Sequence, residues 1–370
     1  KIIDNSIYKK ILIISGKNLY KPSGTEKLIT KILKKKEVSF FFKSKKLPEY
    51  SELTKLIKEI KKFNPNLLIA IGGGAVMDLS KIANVLYESQ NLKKDIMNNS
   101  YKTDRVFCDL ISIPTTAGSG AEVTSNAVIY IDKNKFSIEG NNIKFSIEGN
   151  NIKPKHAALF PKLLISNNKQ TTNSSAFDAL AQAIESLISV KSNNNSIEYS
   201  KKAIQIFLNN FKKYTEKKNL EQTYKMSLAA FYAGKAISIT KTTAPHAVSY
   251  PFTSYFNISH GHAVSLTLIE FLHFNFINIK KSITKFNLAK RYDILFTLFK
   301  VKTIDELGIK IKLIKEDLEL NDNFDELNKS IIKKIDLIID NVNVQRLTNN
   351  PVKVRKIDIF NILNKKIKKK

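Results

Sequence analysis

The chain has 370 residues, and its 61 Lys and Arg against 33 Asp and Glu give a formal net charge of +28. A hydrophobic fraction of 43% excludes a disordered basic tail and is enough for two domains of ordinary size. Nearly all of the basic residues are lysine, and the arginines are Arg105, Arg291, Arg346 and Arg355. Because proteins that read bases and phosphates favour arginine, we expect no nucleic-acid partner and keep nucleic-acid binding as a minor alternative.

Cysteine and histidine are scarce. The single cysteine, Cys108, excludes a disulfide framework and a cysteine-cluster metal site. Five histidines leave room for one histidine-based site at most. No run of 18 apolar residues is present, so we expect a cytoplasmic protein without a membrane partner.

The first 165 residues alternate short apolar runs with amphipathic segments. We predict strands at 9–16, 38–44, 66–71, 106–114 and 126–131, and helices at 24–36, 50–63 and 75–88. Continuous apolar strands separated by helices indicate a parallel sheet that is covered on both faces.

From about residue 170 the pattern becomes helical. We predict helices at 174–190, 195–212, 218–237, 261–275, 283–298, 303–318, 325–341 and 356–367. The change predicts an α/β domain at 1–165 followed by an all-α domain at 166–370.

A nine-residue segment, KFSIEGNNI, occurs twice in succession, at 135–143 and 144–152. Two copies are too few for a solenoid, which needs at least three stacked units. We therefore expect a duplication that is tolerated in a surface hairpin, because loop insertions cost little closure entropy.

Two glycine-rich segments follow predicted strands. Gly72, Gly73 and Gly74 open a helix, where backbone N–H groups can approach a phosphate. The segment 114–122, PTTAGSGAE, places hydroxyls where parallel sheets bind ligands. The spacing is neither GxGxxG nor a P-loop, so each segment alone is equally consistent with a tight turn.

Asp178 and Gln182 are four residues apart on a predicted helix and share one face, while His246 and His260 are 14 residues apart. A carboxylate with two imidazoles is a suitable ligand set for Fe²⁺ or Zn²⁺. The spacing alone does not show that these four residues meet, and a single histidine is more often a core or surface residue than a ligand.

Together these segments resemble the motifs of the iron-containing (group III) alcohol dehydrogenases. AIGGGAVMDLSKIA is similar to GGGSxxDxAK, ISIPTTAGSGAEVTSNAVI to PTTAGTGSEVT, DALAQAIES to DALxHAIE, and HAVSYPFTSYFNISHGHAVSL to the family's two-histidine region. The matches are collinear over roughly residues 9–275. The resemblance implies an NAD(P)-dependent enzyme of dehydroquinate synthase-like architecture. An enzyme of this family is expected to have a Rossmann-like dinucleotide-binding domain, a helical domain and a catalytic metal in the cleft between them.

The resemblance also implies roles for individual residues. The expected cofactor-binding residues are Gly72, Gly73, Gly74, Asp78, Thr115, Thr116, Thr124, Asn126 and one lysine of the repeat, Lys144 in preference to Lys135. The expected metal ligands are Asp178, His246 and His260, with Gln182 at the fourth ligand position.

The sequence departs from the family pattern at three positions. Gln182 stands where a histidine ligand is usual, so metal identity is open and a member without a working metal is an alternative. Tyr250 replaces a further histidine of the cleft. Gly16 replaces an aspartate that many NAD-specific members carry, and Lys17 lies beside it, which slightly favours NADPH over NADH.

The segment Lys241-Thr242-Thr243, just before His246, resembles the phosphonate-associated branch of the family, the phosphonoacetaldehyde reductases. A lysine and two hydroxyls suit a phosphonate anion, and His262 is a second candidate near it. The resemblance implies that a metal polarises the aldehyde, the nicotinamide delivers hydride, and Tyr250, His262 or water passes a proton. A dehydrogenase acting on a small neutral alcohol or diol is the alternative, and a homodimer is allowed.

Overall fold

The computed structural model describes residues 7–17, 20–22, 24–33, 36–132, 142–321, 334–342 and 344–368. The chain forms two compact units. The first contains Lys1–Asn167 and Asn219–Ser227, and the second contains Asn168–Lys218 and Leu228–Lys370. No helix in the described ranges is long and apolar enough to cross a membrane.

The first unit alternates strands and helices. In chain order these are β1 (Lys10–Gly16), α1 (Thr25–Ile32), β2 (Glu37–Lys43), α2 (Tyr50–Phe63), β3 (Leu67–Gly72), α3 (Gly74–Val85), α4 (Leu92–Met97), β4 (Asp109–Pro114), β5 (Asn126–Asp132), β6 (Asn142–Glu148) and β7 (His156–Ala157).

Five of these strands form a parallel sheet in the order β2-β1-β3-β4-β7, which confirms the predicted fold class. The apolar run Ile11–Ile14 of β1 is fully buried, as expected for a strand covered on both faces. Helix α2 buries Leu53, Leu56, Ile57 and Ile60, which lie on one face at helical spacing.

The prediction for β5 was wrong about its sheet. The strand forms where its apolar run predicts, but it pairs antiparallel with β6 in a separate two-stranded sheet. The physical reason is the connection 115–125, which contains no helix. A parallel partner needs a long crossover, usually helical, whereas an antiparallel partner needs only a turn.

The second copy of the repeat supplies most of β6. Lys144 pairs with Tyr130 in the antiparallel register. Most of the first copy, including Lys135, lies outside the described residues.

The second unit is helical, as predicted. Its described helices are α5 (Lys169–Ile188), α6 (Asn194–Glu216), the greater part of α7 (Leu220–Thr240), α8 (Ala244–Phe256), α9 (His260–Ser265), α10 (Leu268–Ile277), α11 (Leu288–Phe299), α12 (Ile304–Asp317), α13 (Ile335–Asp340), α14 (Val344–Leu347) and α15 (Lys356–Lys368). Every residue from Ala176 to Ile188 is buried, so α5 runs through the core of the unit.

Two helical predictions need correction. Helix α8 was not predicted, because Pro251 lies inside it and proline disfavours helix interiors. The single helix predicted at 261–275 is two helices, α9 and α10, separated at Leu266 and Thr267. Most of the helix predicted at 325–341 lies outside the described residues, and only α13 falls within them.

Lys81 on α3 connects this helix by hydrogen bonds to the segment that leads into β5. Its fully buried ammonium donates to the Ala121 carbonyl at 3.0 Å, to Thr124 Oγ1 at 2.8 Å and to the Asn126 carbonyl at 2.6 Å. A buried cation is stable only when its donors are satisfied, and these oxygens satisfy them.

We predict that Lys81→Met lowers the free energy of unfolding by about 3 kcal/mol, because three buried oxygens lose their donor. Urea denaturation measures this change. Lys58→Met is the matched control, since Lys58 lies on the exposed face of α2 and its loss should cost less than about 0.5 kcal/mol. Equal stability of the two variants would contradict the assignment.

Candidate active site

The three glycines at the end of β3 have different packing requirements. A Cβ on Gly72 would lie 2.5 Å from Val76 Cγ2, and a Cβ on Gly74 would lie 2.9 Å from Ser119 Oγ. A Cβ on Gly73 would lie 3.5 Å from Thr116, which is an ordinary contact. Packing within the protein therefore explains the glycine at 72 and at 74. It leaves Gly73, at the start of α3, as the position where a side chain would obstruct only a ligand.

The loop after β4 lies beside this turn. Thr115 N donates to the Gly72 carbonyl at 2.9 Å, and Asn167 Nδ2 donates to the Thr115 carbonyl at 2.7 Å. Thr115 Oγ1 is buried and has no hydrogen-bond partner among the described residues. The carboxyl ends of two parallel strands thus bring a glycine turn and an unsatisfied hydroxyl together, which fits a dinucleotide phosphate.

Asp78 and Lys144 lie near each other in the same unit. Asp78 is partly buried and accepts a hydrogen bond from the backbone of Val128. Burial raises the pKa of Asp78 to about 6, although Lys81 and Lys144 act in the opposite direction. Lys144 Nζ lies 5.9 Å from the centre of the Tyr130 ring.

The remaining predicted cofactor residues also have defined surroundings. Thr124 Oγ1 and the Asn126 carbonyl both accept from Lys81, so each has a structural role in addition to the expected one. Gly16 ends β1, and a Cβ there would meet no heavy atom within 4 Å. That position therefore has space beside it.

In the second unit, the structure brings Asp178, His246 and His260 together. One ligand atom from each lies within 4.8 Å of the others. Asp178 Oδ1 lies 3.2 Å from His246 Nε2, and the two imidazole rings meet edge to face with centroids 5.3 Å apart. One carboxylate and two imidazoles are the nitrogen and oxygen ligand set that Fe²⁺ and Zn²⁺ accept.

Gln182 lies one helical turn after Asp178, as its spacing predicts. Its side chain is buried and hydrogen-bonds to Asp178. Its Oε1 has no hydrogen-bond partner in the described part of the chain. A buried oxygen without a donor is costly, and coordination of a divalent ion is one way to satisfy it. The residues present therefore fit a metal ion with Gln182 as a fourth ligand.

Glu185 is a site residue that sequence reasoning missed. Its Oε1 lies 2.5 Å from His246 Nδ1, and its Oε2 accepts from Thr243 N at 2.7 Å and from Thr243 Oγ1 at 2.8 Å. A carboxylate on Nδ1 fixes the imidazole so that Nε2 points to the ligand cluster. Glu185 follows Asp178 by seven residues on α5, and this i+7 spacing was the signal available in the sequence.

The two carboxylates control the protonation of His246. Burial alone would lower the pKa of His246, but Glu185 and Asp178 raise it to about 9. Burial would raise the pKa of Asp178, but His246 and His260 hold it below its usual value. A proton therefore joins His246 to its carboxylates when no ion is present, and a metal ion must displace this proton to bind.

Gly261 allows the helix that carries His260 to approach α5. A Cβ on Gly261 would lie 1.8 Å from the Ser174 carbonyl oxygen and 3.0 Å from Asp178 Cβ. Helices α9 and α5 are therefore in backbone contact beside the ligand cluster, and a larger residue would separate His260 from Asp178.

Tyr250 lies next to the cluster. Its ring stacks on that of His260 at 5.9 Å, and its hydroxyl hydrogen-bonds to the buried Arg346. Burial raises the pKa of Tyr250, and Arg346 partly offsets this. Arg346 was not predicted, because nothing in the local sequence around it signals a site.

The other predicted residues lie less directly at the cluster. His262 Nε2 lies 2.8 Å from the Asn321 carbonyl, and His262 N donates to Ser174 Oγ at 3.2 Å. Thr242 and Thr243 are buried and Lys241 is half-buried. Since the Thr243 hydroxyl donates to Glu185, its role in the structure is to position that carboxylate.

Comparison with known proteins agrees with this arrangement. The model of the iron-containing alcohol dehydrogenase family matches residues 1–161, and the model of the C-terminal region of the Fe-containing alcohol dehydrogenase family matches residues 172–367. The chain belongs to the iron-containing alcohol dehydrogenase family.

Individual relatives are distant. The chain is 28% identical over 229 residues to a phosphonoacetaldehyde reductase of Streptomyces viridochromogenes, covering 60% of this chain and 56% of the relative. It is 29% identical over 233 residues to a 4-hydroxybutyrate dehydrogenase of Clostridium kluyveri, covering 60% and 58%. The matches thus span somewhat more than half the length of these relatives.

Among solved structures, a sulfoacetaldehyde reductase of Bifidobacterium kashiwanohense in complex with NAD⁺ aligns with a TM-score of 0.86 at 23% identity. The alignment covers all of this chain and 94% of that one, and it shows that the two share a fold.

We predict that Gly73→Ala folds normally but binds NADH and NADPH at least about 10-fold more weakly, because the added methyl group makes only an ordinary contact with Thr116 and would obstruct the dinucleotide. Fluorescence titration measures the affinity. Gly72→Ala is the contrasting variant, since its Cβ meets Val76 and should lower the melting temperature. Unchanged dinucleotide affinity in Gly73→Ala would exclude this turn as the phosphate site.

We predict that Glu185→Gln weakens Zn²⁺ binding by about 10- to 100-fold, because an amide orients and polarises His246 less well than a carboxylate. Competition with a chelating dye measures this affinity. Glu198→Gln is the control, since Glu198 pairs with Lys201 on α6 and should bind Zn²⁺ like the wild type. Equal affinities in all three proteins would contradict the role of Glu185.

Proposed function

We propose that the chain catalyses the metal-dependent, NAD(P)H-linked reduction of phosphonoacetaldehyde to 2-hydroxyethylphosphonate. The observation that carries the reaction type is the buried cluster of Asp178, His246 and His260, oriented by Glu185, in a member of this dehydrogenase family. The proposed substrate is supported by the match to a phosphonoacetaldehyde reductase and by Lys241, which lies five residues before His246.

Enzymes of this family use a nicotinamide dinucleotide and a divalent metal ion. When bound, these two groups supply a hydride and polarisation of the aldehyde oxygen. Asp178, His246, His260 and Gln182 would hold the ion. Gly73, Thr115 and Lys144 are among the residues that would hold the dinucleotide. We favour NADPH over NADH, and what supports this is that a Cβ on Gly16 would meet no heavy atom within 4 Å.

Tyr250 is our candidate for the group that donates a proton to the product oxygen. It stacks on His260, whereas the His262 ring is engaged with the Asn321 carbonyl. Its hydrogen bond with Arg346 fixes the position of the hydroxyl. A proton donor held beside the ligand cluster is suitably placed for general acid catalysis.

An anionic substrate agrees with the chemistry of this unit. Lys241 lies two residues before Thr243, whose backbone and hydroxyl bind Glu185. Both curated relatives described above are named for substrates that carry an anionic group, phosphonate in one and carboxylate in the other. We further propose a cytoplasmic enzyme that forms a homodimer.

A dehydrogenase for a small neutral alcohol or diol is the second candidate. The observation that favours it is that the Thr243 hydroxyl already donates to Glu185. Of the three residues predicted to bind an anion, Lys241 and Thr242 then remain.

Activity with purified protein tests the proposal. We expect reduction of phosphonoacetaldehyde that requires added Fe²⁺ or Zn²⁺, runs faster with NADPH than with NADH, and exceeds reduction of propanal in kcat/KM. Lys241→Ala should raise KM for phosphonoacetaldehyde by about 10- to 100-fold, because a charge-assisted hydrogen bond is lost. It should change propanal kinetics little.

The control is Lys202→Ala, an exposed lysine on α6, which should change neither substrate. If propanal is the better substrate of the wild type, the phosphonate proposal is wrong and the neutral-alcohol candidate replaces it.

A further inference from the structure

The helix that carries the ligand His260 is too short to determine its own position. Helix α9 has six residues, His260–Ser265, which is less than two turns. Helices of this length are not stable in isolation, so contacts with other elements determine where α9 lies. On one side it packs on α5, where Gly261 lies against the Ser174 carbonyl and His262 N donates to Ser174 Oγ. The position of His260 therefore also depends on what binds the rest of this helix.

A buried lysine binds the C-terminal end of α9. Lys315 on α12 is 1% exposed, and its ammonium donates to the Ser265 carbonyl at 2.7 Å. Ser265 is the last residue of α9, and the carbonyls of the last turn of a helix lack partners within the helix. A cation at this end also interacts favourably with the helix dipole. Lys315 therefore fixes the end of α9 to α12.

The chain that follows α12 contacts a different side of α9. His262 follows His260 by two residues, which is about 200° around the helix, so the two imidazoles leave α9 in different directions. His262 Nε2 lies 2.8 Å from the Asn321 carbonyl. Because a carbonyl oxygen can only accept, Nε2 carries the hydrogen of this bond. His262 therefore donates to the chain just after α12.

The turn after α12 is itself well defined and anchored. Leu320 N donates to the Lys315 carbonyl at 2.9 Å, and Glu319 has a φ of 53°, which are the features of a Schellman motif. The buried Asn173 on α5 donates to the Leu318 carbonyl at 2.8 Å. The turn is therefore fixed to α5, the helix that supplies the carboxylate of the ligand cluster.

We propose that residues 315–321, the α12 end, position His260 for the metal ion, with Lys315 and His262 as positioning residues. The α12 end binds α5 on one side and α9 on the other, so it fixes the two helices that carry Asp178 and His260 against each other. This inference rests on the metal site of the proposed function and adds the residues that hold one ligand in place. The competing roles are a purely structural one for Lys315 and proton transfer for His262.

Zn²⁺ affinity, measured by competition with a chelating dye, tests the role of Lys315. We expect Lys315→Met to bind Zn²⁺ at least about 10-fold more weakly than the wild type, because α9 must then be ordered when the ion binds. Lys81→Met is the matched control, since it removes a buried ammonium that also donates to backbone carbonyls, but in the first unit. It should lose stability to urea like Lys315→Met and bind Zn²⁺ like the wild type. Equal Zn²⁺ affinities of these two variants would contradict a positioning role for Lys315.

Two variants at His262 separate positioning from proton transfer, and they decide the question if Lys315→Met does not fold. His262→Gln keeps an N–H donor near the position of Nε2, whereas His262→Phe keeps a ring without a donor. We expect His262→Phe to bind Zn²⁺ about 3- to 10-fold more weakly. His262→Gln should match the wild type in Zn²⁺ affinity, in kcat and in the pH profile of kcat. Normal Zn²⁺ binding with a large loss of kcat in His262→Gln would show proton transfer instead.

The wild type separates this inference from the proposed function. A wild type that binds Zn²⁺ and reduces phosphonoacetaldehyde, with Zn²⁺ affinity unchanged in Lys315→Met and His262→Phe, would overturn the inference while the proposed function stands. Weakened Zn²⁺ binding in both variants, together with a wild type inactive on phosphonoacetaldehyde, would support the inference and overturn the proposed substrate. A wild type that does not bind Zn²⁺ would overturn both.

Discussion

The hydrogen-bonded line from Glu185 through His246 to Asp178 is the interaction on which the rest of the second unit depends. Both carboxylates lie on α5 and the imidazole lies on α8, so the line fixes α8 against the core helix. Glu185 also accepts two hydrogen bonds from Thr243, where α8 begins. A buried carboxylate with this many donors has one stable position, and it orients the imidazole for a metal ion.

Glycines allow the close backbone packing that brings the residues of both proposed sites together. Gly261 lets α9 approach the backbone of α5, which brings His260 to the other two ligands. In the first unit, Gly72 and Gly74 play the corresponding part by allowing α3 and the loop after β4 to meet the end of β3. In both units, therefore, close packing requires a glycine next to a residue of the proposed dinucleotide or metal site.

The sequence predicted what depends on local pattern. Helix α2 begins and ends where its spacing of apolar residues predicts, and the parallel sheet follows from continuous apolar strands. The partner of β5 was mispredicted because the connection 115–125 that precedes this strand contains no helix, and α8 was missed because Pro251 lies inside it. Asp178, His246 and His260 were predicted from motifs, and the structure brings them together. Arg346 could not be found in this way, since its contact with Tyr250 joins segments almost a hundred residues apart.

The central claim is that the Asp178, His246 and His260 cluster holds a divalent metal ion. Anomalous diffraction at the iron and zinc absorption edges, from crystals of protein purified without chelator, tests it most directly. The account predicts one strong anomalous peak bounded by these three residues, with Gln182 Oε1 facing it. A metal peak elsewhere in the molecule, or none at this cluster after soaking with Fe²⁺ or Zn²⁺, would contradict it.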